Sequence, residues 1–221
     1  MIVRPEVTLL AYTQVTNQAL ELLSQDSDTT DLDHLAEVAG RSCYEAWGRK
    51  NPATAHNEGY LDNILTQGHG SVLEHSSATF YLTGVSRALL TELSRHRHLS
   101  FSVRSQRFVD EGQRSIVIPP ALRGTPGEEL LKMQADEAYD SYAELTHSLR
   151  DLPRKQAREA ARAVLPNCTE TRIVVTGNMR AWRQTLARRT DPSADAEIQE
   201  VSQMILDELV KIAPASFQDL V

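Results

Sequence analysis

The run RHRHLSFSVRSQR, residues 95–107, constrains the fold of this chain most tightly. It holds four arginines, two histidines and three serines, with apolar residues only at Leu99, Phe101 and Val103. Apolar side chains at alternate positions draw part of the run into the protein, where a guanidinium without a counter-charge is costly. Arginine stays charged near neutral pH and offers only donors. A cluster of arginines is therefore a permanent anion receptor, bidentate and geometrically strict toward phosphate. The serines add neutral donors. A solvated helix face is the ordinary explanation of an arginine-rich run, and it serves for Arg150 and Arg154 but not for 95–107.

The surrounding chain is acidic, with a formal net charge of -7. That balance argues against general nucleic-acid or membrane binding, which depends on the field of a whole surface. At 221 residues, 41% hydrophobic and 24% charged, one globular unit over 1–221 is expected. Cys43 and Cys168 offer neither metal-ligand spacing nor a disulfide framework. The N-terminal MIVRPEVTLLAY lacks the apolar stretch of a signal peptide or membrane helix, so a reducing cytoplasm is the default.

Hydrophobic pattern predicts strands over 7–12, 78–82, 115–120 and 171–177. Helices are expected after the acidic loop 24–31, with Leu32, Leu35, Val38, Ala39 and Cys43 on one face, and over 86–97, 125–150, 153–166, 179–189 and 193–212. Arg154, Arg158 and Arg162 recur every four residues and form one stripe. Asn178 reads as the cap of the helix on which Arg180, Gln184 and Arg188 share a face, with Arg189 turned away. Strands and helices without strict alternation indicate an α/β domain of the mixed, α+β kind.

Other constellations carry less. His69, His75, His96 and His98 allow a metal reading, but no carboxylate or cysteine stands at ligand spacing beside them, and no metal is expected. Ser71 and Glu74 form a capping-box pattern, a helix-start signal. Nothing basic activates Cys168 locally. No Gly-rich dinucleotide fingerprint occurs, so a nicotinamide or flavin would not be held in the Rossmann manner. Chemistry alone yields an anion-binding enzyme or receptor with two basic segments.

Read as a pattern, Arg-His-Arg followed by seven residues and Ser resembles the signature of the flavin-dependent thymidylate synthases, the ThyX family. The likeness extends through GRSCYEAW (40–47), HGSVLEH (69–75), QAREAARAVLP (156–166) and TETRIVVTGNMRAWR (169–183). The resemblance implies a twisted, mainly antiparallel sheet with helices, assembled as a homotetramer whose flavin and nucleotide sites are shared between subunits. It implies methylene transfer from 5,10-methylenetetrahydrofolate to C5 of a uridylate nucleotide, with FAD as cofactor and NADPH as reductant. Carried over, Ser71, Arg95, His96, Arg97, Asn178, Arg180 and Gln184 match FAD contacts. Glu92, Ser105, Gln106, Arg107 and Arg162 match nucleotide contacts, and Arg95, Val103 and Arg104 border that site. Arg189 matches the arginine beside the uracil ring and is the expected catalytic residue.

Departures from the pattern bear on the substrate. Val103 and Arg104 stand where relatives usually carry a polar residue and then an apolar one. Phe108 replaces a usual Tyr, and neither Ser193 nor Gln199 is the usual basic residue. Either the sugar or base environment has changed, as in relatives of polyoxin-type antibiotic pathways that methylate UMP, or these positions tolerate drift. Two other classes stay open: a non-catalytic phosphate- or RNA-binding module built on 95–107, and a metal-dependent hydrolase.

Overall fold

The computed structural model describes residues 1–26, 28–49, 51–112 and 114–221. The chain opens with β1 (Ile2–Val3), β2 (Glu6–Tyr12), α1 (Asn17–Leu22), α2 (Asp31–Tyr44) and α3 (Asn57–Thr66). It continues through β3 (Ser77–Ser86), α4 (Arg87–Leu93), β4 (Ser100–Val103), β5 (Ile116–Val117) and α5 (Pro126–Ser148). The last elements are α6 (Arg154–Ala161), β6 (Glu170–Asn178), α7 (Met179–Arg189), α8 (Ala196–Ile212) and α9 (Pro214–Phe217). The main sheet is antiparallel in the order β2-β3-β6-β4, while β1 pairs in parallel with β5. This is the mixed α/β architecture expected. No described helix is long and apolar enough to cross a membrane.

The two central strands show why the sheet forms. Phe80 and Leu82 of β3 and Ile173 and Val175 of β6 are fully buried, and alternate residues such as Thr79 and Thr176 turn to the other face. The hydroxyls of that threonine pair meet at 2.9 Å. Gly84 sits at a register shift in β3 with φ +62°, and a Cβ there would stand 1.8 Å from the Arg4 carbonyl oxygen, so only glycine fits. Helices α2, α3, α7 and α8 close the inner face of the sheet over one core. A smaller cluster of Ile116, Ile118, Tyr139 and Cys168 lies under α5. Cys168 is buried, and burial pushes its thiol pKa up, which leaves it unreactive.

Several boundaries differ from expectation for identifiable reasons. The helix predicted over 86–97 ends at Leu93, because the next position of its apolar face falls on His96 and Arg97, which have no place in the core. The chain then turns, and the alternation Leu99, Phe101, Val103 becomes β4 along β6. Ser71 and Glu74 form no capping box; a short 3-10 turn spans Gly70–Glu74, and Glu74 pairs with Arg180. Arg162 falls past the end of α6 in a 3-10 turn, which breaks the expected arginine stripe. The last long helix starts at Ala196, where Asp195 accepts from the Glu197 amide at 3.0 Å.

Helix α2 departs most. Leu32 and Val38 are buried as expected, but Cys43 is exposed, and Asp33, His34, Glu37 and Arg41 are buried as well. Glu37 accepts from Arg41 Nε at 2.6 Å and from Asn57 Nδ2 at 2.8 Å. Asp33 accepts from the free amides of Ala215 at 2.9 Å and Ser216 at 3.0 Å at the start of α9. Packed on most sides, this helix buries Asp33 and Glu37 against partners distant in sequence, such as Ser216 and Asn57.

Candidate functional site

The site grows from the join of β6 and α7. Asn178 Oδ1 accepts from the Ala181 amide at 2.8 Å and caps α7 as predicted, an arrangement that contributes about 1 kcal/mol. Trp182 holds the helix down: it is fully buried, meets Phe80 edge to face at 5.3 Å, and donates from Nε1 to the Ala78 carbonyl at 3.1 Å. With that face buried, Arg180, Gln184 and Arg188 point outward. Gly177 lets the basic turn dock here. A Cβ at that position would lie 2.4 Å from Leu99, the buried residue that anchors the turn.

Three hollows follow one another across α7. The first, about 240 Å³, is lined by Arg95, His96, Arg97, His98, Gln184 and Arg188. The second, about 340 Å³, shares His98 and Gln184 and adds Glu74, Asn178 and Arg180. The third, also about 340 Å³, shares Arg180 and reaches Tyr44, His69, Gly70 and Ser71. All seven residues matched to FAD contacts thus line one trough. Among the described residues, Arg95, Arg97 and Arg188 have no ion-pair partner. Three fixed cations around one hollow without a counter-charge suit an anionic ligand. No three His, Cys, Asp or Glu side chains are grouped to hold a metal among the described residues.

Beside the trough, Arg189 joins two other predicted residues. Its Nε donates to His96 Nε2 at 2.8 Å, and its terminal nitrogens donate to Glu92 Oε2 at 3.1 Å and the Glu92 carbonyl at 3.0 Å. Accepting from a guanidinium requires His96 to be neutral, with its proton on Nδ1. Burial, followed by the charges of Arg189, Arg188 and Arg95, holds its pKa below the ordinary imidazole value. An imidazole with a lowered folded-state pKa contributes stability that is fully present above the unfolded value of about 6.5. This contribution is lost as pH falls from there through the folded value. An NMR titration of the His96 ring should therefore show a midpoint below about 6.5, shifted upward in Arg189→Ala. A midpoint at or above the ordinary value would contradict this electrostatic picture.

The second basic segment lies elsewhere on the chain. Between Arg95–His98 and the Ser105–Arg107 turn runs β4, whose four residues span about 13 Å of extended chain. Gln106 is buried in this turn, and Arg107 faces Glu159 at 3.4 Å. Val103 packs against the main core. The Arg104 guanidinium is taken up by Glu170 at 2.8 Å and Glu111 at 3.3 Å, and so fixes the turn from behind. Arg162 is exposed near Arg87, whose pKa burial lowers while Glu111 opposes the shift. The predicted residues therefore fall in two groups on one chain: Ser71, Glu92, Arg95–Arg97, Asn178, Arg180, Gln184 and Arg189 together, and Ser105–Arg107 with Arg162 apart.

The remaining departures have local explanations. Ser193 donates from its amide to Asp191 Oδ1 at 2.8 Å, and Gln199 Nε2 donates to the Ala194 carbonyl at 2.6 Å, so both close the α7–α8 loop. Exposed Phe108 lies beneath Lys155 Nζ, 5.1 Å from its ring centroid, and near Arg107 at 5.9 Å. Sequence reasoning missed Arg87 and the lining roles of His98, Glu74 and Tyr44. Spacing put Arg188 on the face of Arg180 and Gln184 but gave it no role in the site.

Comparison with known proteins gives the chain's family. Residues 23–215 match the family described as "Thymidylate synthase complementing protein". The flavin-dependent thymidylate synthase of Mycobacterium marinum is 50% identical over 204 residues, covering 86% of this chain and 82% of that one. The probable flavin-dependent thymidylate synthase of Mycobacterium phage D29 is 50% identical over 209 residues, covering 90% and 88%. Among solved structures, the UMP/dUMP methylase PolB from Streptomyces cacaoi, bound with 5-Br dUMP, superposes with a TM-score of 0.72 over 98% of this chain and 95% of its own. At 24% identity that likeness shows a shared fold. With a trough lined by unpaired arginines, and matched over most of its length by relatives at half identity, the chain belongs to the flavin-dependent thymidylate synthase family.

Proposed function

We propose that the chain carries out FAD-dependent C5-methylation of dUMP, with 5,10-methylenetetrahydrofolate as one-carbon donor and NADPH as reductant. One observation carries the reading: three uncompensated guanidiniums, Arg95, Arg97 and Arg188, line a trough that adjoins the Arg189–His96–Glu92 cluster. FAD suits that trough, since its pyrophosphate supplies the missing negative charge. Arg95, Arg97, Asn178, Arg180, Gln184, His96 and Ser71 would hold it. When bound, the flavin supplies the reducing hydride, which leaves binding, orientation and charge to the protein. No activated cysteine is then required.

In this reading Arg189 acts on the pyrimidine. Glu92 and His96 fix its guanidinium from three donor directions, and a fixed cation beside a uracil ring favours the N3-ionised form and stabilises negative charge on that ring. Ser105, Gln106, Arg107 and Arg162 supply the phosphate side. Because they lie apart from Arg189 on one chain, we assign the complete nucleotide site to residues from different subunits of a homotetramer. Local roles for Ser193, Gln199 and Phe108 remove the main reason to invoke a changed sugar pocket, which favours dUMP over UMP.

The purified protein should be yellow, with an FAD absorption spectrum, and should convert dUMP to dTMP in the presence of methylenetetrahydrofolate and NADPH. UMP in a parallel assay should turn over poorly. Colourless protein inactive on both nucleotides would sink the reading, and preference for UMP would reverse the choice of substrate.

A further inference from the structure

A hollow of about 590 Å³ lies away from the trough, between the C-terminal half of α5 and the start of α6. Arg150 and Arg154, expected on a solvated face, line it together with Arg158. Its floor is apolar: Tyr139 and Tyr142 are buried, Ala157 is buried beside them, and Leu152 forms a lip 45% exposed. The volume falls within the range of small-molecule sites, which combine an apolar floor with a few convergent polar groups.

Two features distinguish this hollow from an ordinary surface dip. First, its charges are unevenly matched. Arg158 pairs with Asp110 at 2.8 Å, whereas Arg150 meets only the His147 ring at 3.2 Å and Arg154 has no partner among the described residues. Second, Tyr142 is 3% exposed, yet its hydroxyl, close to the Glu111 backbone, completes no hydrogen bond. Neighbouring Tyr139 does donate, to the Ser115 carbonyl at 3.0 Å. A buried hydroxyl without a partner, under a rim of uncommitted guanidiniums, is an incomplete polar constellation.

We infer that this hollow binds a small aromatic anion, its ring lying on Tyr139 and Tyr142 and its carboxylate or phosphate held by Arg150 and Arg154. An apolar floor accepts a ring, and guanidinium forks match either anion. The site is separate from the flavin trough and does not rest on the flavin reading. It meets the nucleotide side through Arg158, which also donates to the Phe108 carbonyl at 2.8 Å, beside Arg107, and through Asp110, whose carbonyl accepts from Arg104 at 3.3 Å.

The test uses the intact protein and calorimetric titration with four probes: isophthalate, phenyl phosphate, neutral benzamide and inorganic phosphate. Isophthalate or phenyl phosphate should saturate one site per chain, and the tighter of the two identifies the preferred anion. Benzamide and inorganic phosphate should each bind about tenfold more weakly or worse, since each lacks half of the recognition. The double variant Arg150→Ala/Arg154→Ala should weaken the aromatic anion about tenfold or more while leaving dUMP turnover unchanged, and Tyr142→Phe should weaken it several-fold. Displacement of the probe by dUMP, binding unaffected by the arginine changes, benzamide binding as tightly as the anions, or no saturable binding would each overturn the assignment.

Discussion

Arg189→Ala should lower dTMP formation by about two to three orders of magnitude while the protein retains its flavin. Arg189 does not line the trough, so the cofactor's anionic groups keep Arg95, Arg97 and Arg188. What disappears is a cation held by Glu92 and His96 with three hydrogen bonds between 2.8 and 3.1 Å. Such a pre-oriented charge costs nothing to reorganise when negative charge builds on the substrate, which is why its loss falls on turnover. Arg189→Lys should recover little, because one ammonium cannot bond His96 and both Glu92 oxygens in the same geometry. Steady-state turnover measured beside the flavin absorbance of the same sample checks both halves. Normal turnover in the alanine variant would remove Arg189 from the chemistry.

Trp182→Ala should produce the largest loss of stability, about 3–5 kcal/mol in urea unfolding. The indole is fully buried, edges onto Phe80 and hydrogen-bonds the Ala78 carbonyl, so its removal empties the space between α7 and the central strands. The same helix carries Arg180, Gln184, Arg188 and Arg189 on its other faces. The variant should therefore also release flavin well below its unfolding transition. A loss under about 1 kcal/mol with full flavin occupancy would show that α7 is held by something other than this residue.

The sequence disclosed the parts of the molecule that depend on local rules. Strand β6 followed from its β-branched run, and the Asn178 cap and the shared face of Arg180, Gln184 and Arg188 followed from spacing. The basic run was legible as an anion receptor because arginine chemistry does not depend on context. Its division was not. Whether Arg104 faces a substrate or two buried carboxylates depends on Glu111 and Glu170, which only the tertiary fold brings to it. Helix α2 failed for the same reason: its apolar period predicts one buried face, while Asp33, Glu37 and Arg41 are drawn inward by partners as distant as Ser216. The 3-10 turn at Gly70–Glu74 was misread because the capping-box pattern fits a helix start that the short turn never becomes.

The two arginine groups make the strongest demand on the assembled protein. Arg189 sits in its cluster with Glu92 and His96, and Arg162 stands with the second group, so the proposed nucleotide site, which draws on both, is assigned to residues of different chains. Arg162→Ala and Arg189→Ala, each expected to lose nearly all turnover alone, can be co-expressed with different tags and the mixed oligomers isolated. The mixed species should regain dTMP formation, because some of their sites then draw an intact Arg162 and an intact Arg189 from different subunits. Mixed oligomers as inactive as either parent would place both arginines of each working site on the same chain and contradict the account.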